Sequence, residues 1–83
     1  MTTIPEALRI AVGLHQSHRF QEAADIYGQI LDADPSVADA WHLLGVLHLQ
    51  AGDPGRAVDL IGTAIDRDPS CAAYHDNLGS AWR

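Results

Sequence analysis

Apolar residues along this chain return every three or four positions rather than in strict alternation, which is the period of one helical face and not of a strand. Ile4, Leu8, Ala11 and Leu14 with Val12 form a first stripe, and Ala23, Ala24, Tyr27, Ile30 and Leu31 a second. Trp41, Leu44, Val46, Leu47 and Leu49 form a third, and Val58, Leu60, Ile61, Ala64 and Ile65 a fourth. A fifth begins at Ala72 and carries Tyr74, Leu78, Ala81 and Trp82. The residues between stripes are helix punctuation. Thr3 followed by Glu6, and Ser36 followed by Asp39, have the form of capping boxes. Gly52-Asp53-Pro54 supplies a left-handed stop, an N-cap and a proline in the first turn. Asp34-Pro35 and Asp68-Pro69 end their helices, because proline pushes the preceding residue out of the helical region. The pattern predicts helices over about 4–16, 20–33, 37–50, 54–67 and 71–83.

The stripes also repeat. Asp34-Pro35-Ser36 returns as Asp68-Pro69-Ser70, Ala23 as Ala57, Asp25 as Asp59, Gly28 as Gly62, Asp32 as Asp66 and Leu44-Gly45 as Leu78-Gly79, each thirty-four positions on. So many residue types in one register define a structural repeat. The units run over 4–37 and 38–71, with a partial third over 72–83, all within one segment spanning 1–83.

These residues resemble the tetratricopeptide repeat, a helix–turn–helix unit with Trp, Leu-Gly, Tyr, Gly, Ala, an aromatic, Ala and Pro at set positions. The second unit places Trp41, Leu44, Gly45, Gly52, Ala57, Ala64 and Pro69 on that signature, with His48 for the tyrosine and Ile61 for the aromatic. The first keeps Ala23, Tyr27 and Pro35, but has Ala7 for the tryptophan, Leu14 for the tyrosine and His18 for the turn glycine. The third supplies Leu78-Gly79, with His75 at the tryptophan position. The resemblance implies an all-α, right-handed α-solenoid of antiparallel helix pairs, here five helices in two and a third units. Small residues such as Gly45, Ala57, Ala64 and Gly79 suit close approach of helix axes in such a stack, while Trp41 and Tyr27 fill the space between helices.

Composition narrows the function. Eighty-three residues give room for one small domain, and a chain this short buries only about 60–65% of its unfolded surface. At 47% hydrophobic and 19% charged it falls in the globular range. Five Lys+Arg against eleven Asp+Glu give a net charge of −6, which repels phosphate backbones and anionic membranes, so neither nucleic acid nor membrane is an expected partner. No apolar run approaches the roughly 18–20 residues of a membrane span, the N-terminus lacks a secretory signal, and the lone Cys71 excludes an internal disulfide. A cytoplasmic location is the default expectation.

The five histidines raise the question of a metal. His15 and His18 are three apart near a helix end and His42 and His48 six apart on one helix, a poor spacing for two ligands on one face, and no cysteine or glutamate completes a set. No metal and no cofactor is expected. Catalysis is not expected of this segment either, since it has no nucleophile elbow, no phosphate loop and no carboxylate pair set against a base. Cys71 reads as a small packing residue near the start of the fifth helix.

The resemblance implies a concave groove lined by the first helix of each pair, where relatives bind peptides. Leu8, Arg9, Val12, Gln16, Asp39, His42, Leu43, Val46, Gln50, Asp76, Asn77 and Ser80 fall on that side, and Arg9, Val12, Gln16, Asp39, His42, Val46 and Asn77 are the expected contacts. The clamp for a peptide's terminal carboxylate found in chaperone-binding members needs several lysines, and here only Arg9 and Asn77 could serve. Asn77 just before Leu78-Gly79 is similar to the backbone-binding asparagines of O-linked N-acetylglucosamine transferases and their bacterial relatives, or else is a tolerated polar helix residue; Leu43 and Arg9 stand at the matching places.

The fifth stripe ends without a second helix to cover Tyr74, Leu78 and Trp82, and solenoid ends need a polar outer face. The chain is therefore expected to be the N-terminal piece of a longer protein, and alone to fray after about residue 70 or to self-associate through these three residues, as a homo-oligomer formed by helix exchange. The sequence leads to a protein-interaction scaffold that binds a protein or peptide in its groove. The alternatives are an assembly element acting through its C-terminal face, and the substrate-docking arm of a larger glycosyltransferase-like enzyme.

Overall fold

A computed structural model describes residues 3–82, and for residues 80–82 the backbone alone. Its elements are α1 (Ile4–Gln16), α2 (Phe20–Ala33), α3 (Ala38–Gln50), α4 (Pro54–Arg67) and α5 (Ala72–Trp82), with no strand among the described residues. The starts of α1, α3 and α5 differ by thirty-four residues, as do those of α2 and α4, so the sequence repeat is a repeat of helices. Each expected helix is present, with starts displaced by at most one residue.

Two of the expected caps form as the residues dictate. Thr3 is extended and its hydroxyl accepts the Glu6 amide at 3.3 Å. Asp53 accepts the Arg56 amide at 3.2 Å, after Gly52 has turned the chain at φ +88°. At the turn one repeat earlier, His18 takes that left-handed conformation at φ 62° in place of a glycine. The Ser36–Asp39 capping box does not form. Val37 is the N-cap of α3 and makes no side-chain cap bond, because Ser36 donates both its amide and its hydroxyl to the Asp34 carboxylate, at 3.0 and 2.5 Å. The same turn closes at Asp68 and Ser70. In an Asp-Pro-Ser sequence the aspartate is the nearer partner and takes the serine first. These bonds hold the Asp34 carboxyl below its ordinary pKa.

Adjacent helices pack in sequence order, α1 on α2, α2 on α3, α3 on α4 and α4 on α5, which builds an open stack rather than a closed bundle. The buried residues fall into three clusters along it: Ala11, Ala23, Tyr27 and Leu47; Ile30, Leu31 and Ala40; Ala57, Ile61, Ala64 and Tyr74. Five of these eleven residues are alanines, Ala57 and Ala64 among them as expected from the sequence, and they let the axes close up. Gly45 is closer still: a Cβ there would stand 2.6 Å from Ile61 Cγ1 and 3.2 Å from both Ala57 O and Ile61 N. Gly79, expected to play the same part in α5, does not, since a Cβ there would meet nothing within 4 Å. Trp41 is pinned across α2 and α4 by its indole N–H, which donates to Pro35 O at 2.9 Å. His75, one repeat on, uses its ring nitrogen on Pro69 O at 3.1 Å in the same way.

Tyr27 is fully buried, yet its hydroxyl meets no hydrogen-bond partner among the described residues, and burial pushes its pKa up to about 12. An unsatisfied buried hydroxyl costs about 1–3 kcal/mol. Tyr27→Phe is therefore expected to raise stability by about 1 kcal/mol in urea denaturation, the gap left by the lost oxygen offsetting part of the gain. The stability that comes from keeping the phenol neutral is complete below pH 10 and is lost as pH rises from 10 towards 12. The phenylalanine variant is expected to lack that component of alkaline unfolding.

Candidate functional site

The three odd-numbered helices lie side by side, because α1 touches α3 and α3 touches α5 across the stack. Three polar bonds tie them. His15 Nε2 donates to Gln50 Oε1 at 2.7 Å between α1 and α3, Asn77 Nδ2 donates to His42 Nε2 at 2.5 Å between α3 and α5, and the Tyr74 hydroxyl donates to the Asp39 carboxylate. Each bond spans thirty-five residues, one more than the repeat. Successive helices are thus offset by one residue along the face, and this offset brings a long polar side chain of one helix opposite the polar side chain of the next.

Between α1 and α3 the face opens into a groove of about 360 Å³ lined by Val12, His15, Gln16, His18, Leu43, Val46 and Gln50. Its apolar members come from the middle of both helices. Its polar members cluster at their C-terminal ends and in the turn after α1, where His15 and His18 also pack edge-on against Phe20 at 5.7 and 5.4 Å. A partner's aliphatic side chain fits the Val12–Leu43–Val46 floor, while the amides of Gln16 and Gln50 offer both donors and acceptors to a peptide backbone.

Between α3 and α5 the face is closed. His42 lies 4.6 Å from the Tyr74 ring at 34° to it and accepts the Asn77 amide, so its Nε2 carries no proton. Burial lowers the His42 pKa, and the negative charge of Asp39 opposes the shift without cancelling it. The Tyr74 phenol is pushed well above its ordinary pKa by burial and by the bond to Asp39.

The contacts expected from the sequence therefore divide. Val12, Gln16 and Val46 line the open groove. Asp39, His42 and Asn77 are engaged with one another's helices, and Arg9 is exposed on α1 but lines neither pocket. His15, weighed in the sequence only as a metal ligand, and His18, weighed also as the residue at the turn-glycine position, are groove residues; their place at the end of an amphipathic helix and in its turn was the available signal. Among the described residues no three His, Cys, Asp or Glu side chains gather in a way that would hold a metal.

Tyr74 needs a correction. The sequence leaves it on an uncovered end face, whereas it is 3% exposed and belongs to the cluster of Ala57, Ile61 and Ala64. It points back into the stack because Asp39, freed from the capping box, accepts its hydroxyl. Leu78 is half-buried against the same cluster, as is Cys71. The side chains of Trp82 and Ser80 lie outside the described residues. No described helix is long and apolar enough to cross a membrane.

Known proteins match this architecture. A stretch of the general transcriptional corepressor ssn6 of Schizosaccharomyces pombe is 38% identical to this chain over 63 residues, which is 76% of the chain and 6% of the corepressor. The sequence profile of the tetratricopeptide repeat spans residues 14–79, from the end of α1 into α5, and takes in both turns at Gly52 and His18 and both Asp-Pro-Ser junctions. That profile covers most of the chain, whose helices start every thirty-four residues, and the chain belongs to the tetratricopeptide repeat family.

Proposed function

We propose that this chain is a protein-interaction module that receives a partner's peptide segment in the groove between α1 and α3. The observation that carries this reading is the groove itself: an apolar floor of Val12, Leu43 and Val46 beside the amides of Gln16 and Gln50, with the His15–Gln50 bond bridging its two helices at one end. Membership of a repeat family whose units are interaction surfaces supports it, as does a relative described as a transcriptional corepressor. Recognition is by shape and hydrogen bonding. One or two aliphatic side chains sit on the floor, and the two glutamines pair with the peptide backbone between them.

The closed α3–α5 joint lies on the other side of α3 from these residues and adds none to the groove lining. Asp39, His42 and Asn77 position α5, and Asn77 directs one of its two amide N–H groups to His42, which fixes its side chain against α3. That engagement weighs against Asn77 as the first rung of a backbone-binding asparagine ladder. The burial of Tyr74 likewise weighs against an assembly element whose contact surface includes it.

Selection of a displayed peptide library against the folded chain, followed by NMR mapping of the winners, tests the reading. Selected peptides are expected to shift the amides of Val12, Gln16, Leu43 and Val46 and to lose about tenfold or more in affinity with Val46→Glu, which sets a charge on the apolar floor. Selected peptides that bind Val46→Glu as well as the parent chain would overturn it.

A further inference from the structure

We propose that the other end of the stack, the outer face of α1 and α2, docks an amphipathic helix of a partner protein that carries an aliphatic stripe flanked by lysine or arginine. This inference is independent of the groove between α1 and α3, with which it shares no residue.

A pocket of about 270 Å³ lies here between Ile4, Ala7 and Ile10 of α1 and Ile26, Ile30 and Ala33 of α2, with Thr3 and Gln29 at its edge. Ile10 is 52% exposed, which makes it the exposed large hydrophobic of the described residues. The repeat shows what this face is built to meet. Thirty-four residues after Ile4, Ala7 and Ile10 stand Ala38, Trp41 and Leu44 on α3. There Trp41 and Leu44 are covered by α2, through the cluster of Ile30, Leu31 and Ala40. The α1 face is thus the next copy of the established α2–α3 interface, with its own half present and no described helix over it. Since α2 is the helix that fits this kind of face, the occupant is a helix with large aliphatic residues at helical spacing, like Ile26, Ile30 and Leu31. Where α3 has Trp41, α1 has only Ala7, so a partner side chain has room to enter the pocket.

Charge narrows the partner further. Asp25, Gln29 and Asp32 occupy positions i, i+4 and i+7 of α2 and share one side of it, so two exposed carboxylates flank the pocket residue Gln29. Glu6 is exposed beside Ala7 on α1. A helix with basic flanks is attracted to this rim, and an acidic one is repelled. A second copy of this chain does not meet the requirement: the matching faces of its α2 and α4 are already covered by α3 and α5, and it carries a net charge of −6.

The probe is a synthetic peptide with the sequence of residues 20–33 carrying Glu22→Lys, Asp25→Lys and Asp32→Lys, titrated into the full chain at low salt and followed by NMR. Shifts are expected at Ile4, Ala7, Ile10 and Ile30. Ile10→Glu is expected to weaken binding about tenfold or more without loss of helical circular dichroism, since the side chain is half-exposed. Ala7→Trp, which fills the pocket from within, is expected to weaken it as much, and Val46→Glu to leave it unchanged. The unmodified acidic peptide is expected to bind about tenfold more weakly than the lysine form. No binding of the lysine peptide, equal binding to the parent chain and Ile10→Glu, or shifts centred on Val12 and Val46 would each overturn the proposal.

Discussion

Gly45→Leu is expected to lower the melting temperature of this chain by roughly 12–24 °C, or to leave it unfolded at room temperature. Already the first atom, Cβ, would lie 2.6 Å from Ile61 Cγ1 and 3.2 Å from the Ala57 carbonyl oxygen and the Ile61 nitrogen. Ile61 can turn its side chain, but the two backbone atoms belong to α4 and move only if the whole helix does. Overpacking a core that can adjust costs about 1–3 kcal/mol, and one that must separate two helices falls at the upper end or beyond. At about 3 kcal/mol, and 4–8 °C per kcal/mol for a domain of this size, the range above follows. Gly45→Ala is expected to cost about 1–2 kcal/mol, because the gain in helix propensity of about 1 kcal/mol offsets part of the overpacking. Gly79→Ala provides the contrast. No atom of the described residues outside the backbone of its own helix lies within 4 Å of its would-be Cβ, so only the propensity term remains and the variant is expected to gain about 0.5–1 kcal/mol. Thermal denaturation of the three variants decides the matter. A Gly45→Ala chain at least as stable as its parent would mean that α3 and α4 do not approach as closely as these distances state.

The contrast between Gly45 and Gly79 also marks where sequence reasoning ends. The two glycines occupy the same repeat position, so the repeat alone gives them one role. What separates them is the neighbour: Gly45 faces Ala57 and Ile61 of the following helix, while no described helix follows α5. Helix existence and order were legible because each depends on local chemistry, the three-and-four spacing of apolar residues and the Gly52-Asp53-Pro54 and Asp-Pro punctuation. The Ser36–Asp39 box failed for a reason that is also local but competitive: two residues upstream, Asp34 offers the same serine a nearer acceptor. That substitution then propagates. With Asp39 not engaged at the α3 start, its carboxylate accepts Tyr74 from a helix thirty-five residues away, and the tyrosine turns inward. The groove was half legible. Val12, Gln16 and Val46 follow from which side of α1 and α3 faces the concavity, but that Asp39, His42 and Asn77 would close on one another depends on the one-residue offset between successive helices, which no pattern in the chain specifies.

The same joint sets the largest expected effect at the C-terminal end. Tyr74→Ala is expected to undock α5 from the rest of the stack rather than to unfold the chain evenly. Tyr74 contributes a ring buried to 3% exposure among Ala57, Ile61 and Ala64, a contact with His42 and a bond to Asp39. Truncating a buried aromatic costs about 3–5 kcal/mol, and among the described residues α5 touches only α3 and α4, so it has few other contacts with which to resist. In hydrogen exchange, the amides of α5 are expected to lose protection while those of α1 to α4 keep most of theirs. Tyr74→Phe, which removes only the bond to a charged acceptor, is expected to lose about 1.5–3 kcal/mol of that protection. Acid has the same direction. The folded joint holds His42 neutral, with a pKa below 6.5, while the unfolded chain takes up its proton near 6.5. The joint's contribution is therefore complete above pH 6.5 and declines as pH falls below it, since a protonated Nε2 cannot accept the Asn77 amide. Lowering the pH from 7.5 to 5.5 is expected to reduce the protection of the α5 amides relative to their intrinsic exchange rate at each pH, and His42→Gln, whose side chain does not titrate, is expected to remove that dependence. Exchange in Tyr74→Ala that rises equally in all five helices would show that the stack unfolds as one unit, and that α5 is not separable from it.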